Sequence, residues 1–244
     1  MKREYHRWFS PVLGRDMELL LFGHAGRRLL VFPSRKQRFF EFEEKGMIGV
    51  LREKIEAGSL QVICIDGIDA DSLYCFEKTP AQRIERHLQF ERYVIDEVLP
   101  FCKVPGRKRT PITVHGCSFG AYHAVTIALR NPRYFERAVG FSGRYDLTLH
   151  TGDFHSLFHG FYNESLYYLM PSHFMPNLKE PKVLRAIRKV CFTLAIGRED
   201  PFYNDNVVLC RAFVEKKIPH EFQTWQGNCH RFRDWRQMAR IYLP

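Results

Sequence analysis

Gly116-Cys117-Ser118-Phe119-Gly120 constrains what this chain can fold into more than any other stretch, because of what flanks it. Before it runs Ile112-Thr113-Val114, apolar and β-branched, ending at His115. After it, Ala121 to Leu129 reads as a helix that stops at Asn131-Pro132. A buried strand therefore turns sharply into a helix, and Ser118 sits at the bend. Gly116 and Gly120 suit that turn, since a side chain at either place would strike the neighbouring strand or helix. The bend also brings the serine to a helix N-terminus, whose unpaired N–H groups favour negative charge developing nearby. This G-x-S-x-G setting marks Ser118 as a candidate nucleophile.

The 244 residues, 45% hydrophobic and 14% aromatic, are enough for one α/β domain with a sizeable core. No long linker, repeat or low-complexity tract divides them, so a single domain over 1–244 is expected. Met1 to Trp8 lacks the apolar stretch of a signal peptide, and no apolar run is long enough to cross a membrane. Seven cysteines without close pairs point to reduced thiols and a cytoplasmic setting. The net charge of +10 raises the question of nucleic acid, yet Lys and Arg are spread along the chain. The densest groups, Arg35-Lys36-Arg38 and Arg107-Lys108-Arg109, are brief. They read as solvated surface with some preference for anionic ligands, and neither nucleic acid nor a membrane is expected as a partner.

The first residues read as a β-meander of Tyr5 to Phe9, Met17 to Phe22 and Arg28 to Phe32, with turns at Gly14-Arg15-Asp16 and His24-Ala25-Gly26. Phe42 to Ala57 predicts a helix with Ile48, Leu51 and Ile55 on one face. Leu60 to Ile65 predicts a strand, and Pro80 to Leu99 a helix capped by Thr79 with proline in its first turn. Further strands are expected at Ala138 to Phe141, Cys191 to Ile196 and Glu221 to Trp225. The last two are each followed by a helix, Asn204 to Lys217 and Phe232 to Tyr242. Alternation of this kind after residue 58 implies right-handed βαβ units. The expected fold class is α/β: a mostly parallel twisted sheet with helices on both faces and an antiparallel N-terminal meander. Residues 145–189 break the rhythm with Phe154, Phe158, Phe161, Tyr162, Tyr167, Tyr168, Phe174 and two methionines. Such an insertion lies over the carboxyl ends of the strands, where its aromatics either wall a substrate pocket or pack onto the core.

A serine hydroxyl needs a base to take its proton, and the base needs a carboxylate to orient it. On a sheet with this elbow the order is nucleophile, acid, histidine, with the acid just after a strand. Asp200, in Gly197-Arg198-Glu199-Asp200-Pro201, is the first choice. Glu199 is the runner-up, and Asp205 reads better as a helix N-terminal carboxylate. Of the 11 histidines, His230 lies in the loop after the last strand, beyond Gly227. His220 precedes that strand, and His115 and His123 violate the order. His150, His155, His159 and His173 fall in the insertion, without the carboxylates or cysteines of a metal site, so no metal is expected.

An oxyanion needs two N–H donors. One is expected from Phe119, the other from the loop Phe32-Pro33-Ser34-Arg35-Lys36, where Pro33 has no N–H and Ser34 or Arg35 must donate. Cys117 and Cys229 flank the nucleophile and the base and read as small space-filling residues. Ser142, in Gly140-Phe141-Ser142-Gly143, is a rival nucleophile that lacks the second elbow glycine and a following helix.

The three marks Gly116-Cys117-Ser118-Phe119-Gly120, Gly197-Arg198-Glu199-Asp200 and Gly227-Asn228-Cys229-His230, with Trp235 beyond, resemble the α/β-hydrolase superfamily. Within it the chain is similar to the esterase group related to esterase D and the mycolyltransferases. The resemblance implies esterase activity on a small-molecule ester, without a cofactor. The expected reaction is carboxylester hydrolysis through Ser118, His230 and Asp200 by way of an acyl-enzyme. Thioester cleavage or acyl transfer would use the same residues, and a non-catalytic binding protein on the same fold is the alternative. The acyl chain, the substrate and the oligomeric state are not legible.

Overall fold

The computed structural model describes residues 1–102 and 110–244, so the basic group Arg107-Lys108-Arg109 lies outside the described residues. Eight strands form one sheet: β1 (Arg3–Ser10), β2 (Arg15–Phe22), β3 (Arg27–Phe32), β4 (Leu60–Ile65), β5 (Ile112–Cys117), β6 (Arg137–Phe141), β7 (Cys191–Gly197) and β8 (His220–Trp225). Their spatial order is β1-β2-β4-β3-β5-β6-β7-β8. β1 and β2 form an antiparallel hairpin and β2 pairs antiparallel with β4, while every later neighbour is parallel. The antiparallel part is thus β1 and β2. β3 does not extend the meander but enters the parallel part between β4 and β5.

Side-chain alternation explains why helices cover both faces. In β3, Leu30 and Phe32 point into one core and Leu29 and Val31 into the other; in β4, Ile63 and Ile65 oppose Val62 and Cys64. Strands covered on both faces are buried at every position, as β4 and β5 are, and these two are mainly apolar, with Gln61, Thr113 and His115 as their polar exceptions. One face is covered by the helices Pro80–Tyr93, Phe119–Arg130 and Tyr203–Glu215, the other by short helices between Glu41 and Glu56 and by the C-terminal helix Phe232–Tyr242. A third cluster packs Leu147, Leu157, Phe158, Leu166, Leu169 and Met170 of the insertion onto Tyr74, Phe119 and Tyr122.

Two expected helices differ. The helix expected over 42–57 is three pieces, Glu41–Glu44, Met47–Val50 and Arg52–Glu56. Gly46 at φ 72° breaks the first from the second, a left-handed conformation that glycine tolerates and a helix does not. The helix expected over 80–99 begins with a complete capping box from Thr79 and Gln82 but widens into a π-helical turn at Val94–Val98. Pro100 has no N–H to give to the ladder at that point, and α-helical bonding resumes beyond it, where the Cys102 N–H donates to the Val98 carbonyl at 3.0 Å. Among the described residues, no helix is long and apolar enough to cross a membrane.

Candidate active site

β5 delivers Ser118 to the carboxyl edge of the sheet, and the helix Phe119–Arg130 leaves directly from it. Ser118 adopts φ 54°, ψ −119°, a backbone region that costs a non-glycine residue about 1–3 kcal/mol. Its N–H donates to the Phe141 carbonyl at 2.8 Å, which ties the bend to β6. The need for both glycines is steric. A Cβ on Gly116 would lie 2.1 Å from the Gly120 carbonyl carbon, and one on Gly120 would lie 2.5 Å from the Phe32 carbonyl oxygen. The second contact presses the elbow helix against the end of β3.

Two loops meet the serine from the far strands. β7 ends at Gly197 and turns into Arg198-Glu199-Asp200, where the Asp200 carboxylate is fully buried. β8 ends at Trp225 and runs through Gly227, at φ 77°, and Cys229, at φ 54°, to His230. The loops are laced together: the Arg198 N–H donates to the Trp225 carbonyl at 2.9 Å and the Glu199 N–H to the Gly227 carbonyl at 3.1 Å. A Cβ at Gly197 would lie 2.2 Å from the Asn228 carbonyl oxygen, so only glycine permits this approach.

The result is a continuous hydrogen-bonded chain. His230 Nε2 lies 2.9 Å from Ser118 Oγ, and His230 Nδ1 lies 2.9 Å from Asp200 Oδ2. The other Asp200 oxygen accepts from the Phe202 N–H at 3.0 Å. The imidazole is clamped by aromatic rings, with centroids of Trp235, Phe202 and Phe154 at 5.2, 5.7 and 5.9 Å. A base held this way keeps one orientation through a proton transfer. Trp235, noted in the sequence only as a mark of resemblance, also donates its indole N–H to Ser142 Oγ at 3.1 Å. Ser142 is fully buried and faces that indole rather than the imidazole.

The loop after β3 sits over the elbow, and its N–H groups divide clearly. The Ser34 N–H donates to Glu41 Oε2 at 2.8 Å, and the Ser34 hydroxyl donates to the other Glu41 oxygen. The Ser34 N–H, expected as one of two possible oxyanion donors, is therefore already engaged by Glu41. The Lys36 N–H donates to Asp69 Oδ2 at 3.1 Å and the Gln37 N–H to the Ser34 carbonyl at 3.0 Å. Arg35 remains. Phe119 opens its helix, where first-turn amides lack intrahelical acceptors.

Sequence reasoning missed the carboxylates that hold this loop. Glu41 is buried, and burial raises its pKa against the opposing bonds from Ser34. Asp69 is also buried and bridges two elements: it accepts from Lys36 in the loop and pairs at 2.9 Å with His123 of the elbow helix. Partners 54 positions apart leave no local pattern to read. Glu199 donates through its backbone to the histidine loop, while Asp205 lies in the next helix and binds the Tyr145 and Asp146 N–H groups. Among the described residues, no group of three or more His, Cys, Asp or Glu side chains could hold a metal ion.

A family model described as "Putative esterase" matches residues 42–238. Among solved structures, a ferulic acid esterase superposes with a TM-score of 0.76 at 15% identity, covering 100% of this chain and 96% of the other. An S-formylglutathione hydrolase from Agrobacterium tumefaciens gives 0.74 at 15% identity, covering 99% and 92%. One from Staphylococcus aureus gives 0.67 at 17% identity, covering 98% and 96%. At such identities the likeness speaks for the fold, which is that of the α/β-hydrolases. No curated protein matches the chain by sequence.

Proposed function

The chain belongs to the Esterase family and is an esterase, and on that premise we propose that it works as a serine carboxylesterase through Ser118, His230 and Asp200. The observation that carries this reading is the pair of 2.9 Å hydrogen bonds running from Ser118 Oγ through the imidazole to Asp200. Ser118 Oγ attacks the ester carbonyl while His230 Nε2 takes its proton. Asp200 accepts from Nδ1–H, which selects the reactive tautomer and stabilises the imidazolium. The tetrahedral oxyanion is received by the N–H groups of Phe119 and Arg35. Collapse of that intermediate expels the alcohol, which takes the proton from Nε2 and leaves an acyl-serine. Water, deprotonated by the same imidazole, then releases the acid.

Residues 145–189 would form one side of the substrate cleft within a single domain, with Phe154 beside the base. The chemistry requires no cofactor. Seven free cysteines, most of them buried, suit a reducing, cytoplasmic setting.

The test is covalent. A fluorophosphonate should label Ser118, and Ser118→Ala should abolish both the labelling and the release of nitrophenol from a short acyl ester, with an unchanged circular dichroism spectrum. Retained turnover in that variant refutes the assignment. No labelling of the native protein near neutral pH favours a non-catalytic binding protein instead.

A further inference from the structure

A cleft of about 280 Å³ is lined in part by Arg35, Lys36, Tyr74, Arg144 and Phe154. It adjoins the proposed active site on two sides, at the base and at the residue after the nucleophile. The Phe154 ring lies 5.9 Å from the His230 ring, and the Tyr74 ring lies 5.0 Å from that of Phe119. Three cations line the cleft, two of them on its aromatic walls. The Arg35 guanidinium is 5.8 Å from the Tyr74 centroid and 5.9 Å from that of Phe154, and the Lys36 ammonium is 5.6 Å from Tyr74. Arg144, 3% exposed, packs 5.7 Å from Phe202, which itself touches the His230 ring.

The groups that Arg144 hydrogen-bonds are neutral. Arg144 Nε donates to the Asp146 carbonyl at 3.1 Å, and its Nη2 to the carbonyls of Leu149 and His155 at 2.7 and 2.8 Å. Among the described residues, none of the three cations forms a salt bridge, although the molecule pairs many of its other arginines. Asp153 borders the cleft from an exposed position. The Asp146 and Asp205 carboxylates act on Arg144 only through space, and burial still lowers its pKa, so the guanidinium is incompletely compensated and an anion would complete it. Stapling the 146–155 loop accounts for the backbone bonds of Arg144. It does not account for Arg35 and Lys36 standing together on the Tyr74 ring.

We propose that this cleft is an anion subsite: the ester cleaved here carries a carboxylate or comparable anionic group, held by Arg35, Lys36 and Arg144 while its carbonyl reaches Ser118. The inference rests on the esterase reading above. It places the charged group one aromatic ring away from the base, and an anion there is steered by the net charge of +10.

Two matched ester pairs test it. One carries the charge on the acyl side, 4-nitrophenyl hemisuccinate against 4-nitrophenyl butyrate. The other carries it on the alcohol side, 4-acetoxybenzoate against its methyl ester. In at least one pair the charged member should have a kcat/KM about 10-fold higher at low ionic strength, with the advantage shrinking as salt is added. In Arg35→Gln/Lys36→Gln the ratio should fall to within about twofold of one. Ratios near one in the native enzyme, or a ratio that survives the double substitution, overturn the subsite and leave the esterase standing. If none of the four esters is hydrolysed, the esterase reading is what fails. The subsite is then judged by calorimetry of 4-acetoxybenzoate and its methyl ester on the Ser118→Ala protein, where equal affinity overturns it and tighter binding of the anion supports it.

Discussion

At the scale of single residues, the sharpest question is which carboxylate orients the imidazole. Asp200 and Glu199 are adjacent in sequence, and the turn after β7 presents them differently. Asp200 is buried with one oxygen on His230 and the other on the Phe202 N–H, so each oxygen has a partner. Glu199 contributes its backbone N–H to the histidine loop and keeps its side chain exposed. Asp200→Asn should therefore lower kcat by about 10⁴, as loss of an orienting carboxylate does when it leaves the wrong tautomer. Glu199→Gln should stay within a few-fold of native. Steady-state kinetics on a nitrophenyl ester separates them, and the reverse pattern transfers the role to Glu199. Much of this site was legible because chain order and strand ends are local features. The left-handed backbone at Cys229 and the contact of Gly197 with Asn228 were not, since they arise only where two loops 30 residues apart close on each other.

At the scale of elements, the loop after β3 matters because it must place an N–H at a fixed point. Glu41 grips it at Ser34 and Asp69 at Lys36, with Arg35 between the two grips. Asp69 also fixes the loop to the elbow helix through His123, in a pair almost wholly removed from water. Removing one oxyanion donor costs about 10²–10³ in kcat, and loosening one should cost less, about 10-fold. Asp69→Ala is expected to lower kcat by that amount while leaving KM for a neutral ester nearly unchanged, and Asp69→Asn to recover part of the loss. A fall that appears only in KM, or only as unfolding in a thermal melt, would show that the pair is merely structural. The sequence points to this loop for a second donor, at Ser34 or Arg35. It could not choose between the two residues, because the deciding acceptor, Glu41, belongs to a segment read as part of one continuous helix. Gly46 breaks that segment, and hydrophobic spacing alone does not register a left-handed glycine. The order of β3 and β4 was hidden for a related reason. Alternation reveals strands, but crossing over a neighbour is a property of the connection, and the connection here is a run of short helices.

At the scale of the whole molecule, the insertion packs on the sheet-flanking helix Tyr203–Glu215, and one buried carboxylate of that helix ties the two together by hydrogen bonds. Asp205 accepts from the N–H groups of Tyr145 and Asp146 and from the Ser172 hydroxyl, and burial pushes its pKa up from 3.8 to about 6 despite those bonds. A folded-state pKa above the unfolded one means that the folded protein holds the proton more tightly. The resulting stability is present in full below about pH 4 and is lost as pH rises through about 6. A rise of about two pH units corresponds to ~3 kcal/mol. The absolute pH profile mixes this with opposing groups: His87 and His115 are buried with lowered pKa values, so folding gains from them as pH climbs. The difference between native protein and Asp205→Asn cancels those contributions. Urea unfolding from pH 4 to pH 7 should show the native protein losing stability relative to the variant by about 2–3 kcal/mol, with most of the change complete by pH 7. A difference that does not vary with pH would mean that Asp205 titrates as it does in the unfolded chain. A difference of the opposite sign would mean that its three donors outweigh its burial, and that the ionised carboxylate is what fastens the insertion beside the active site.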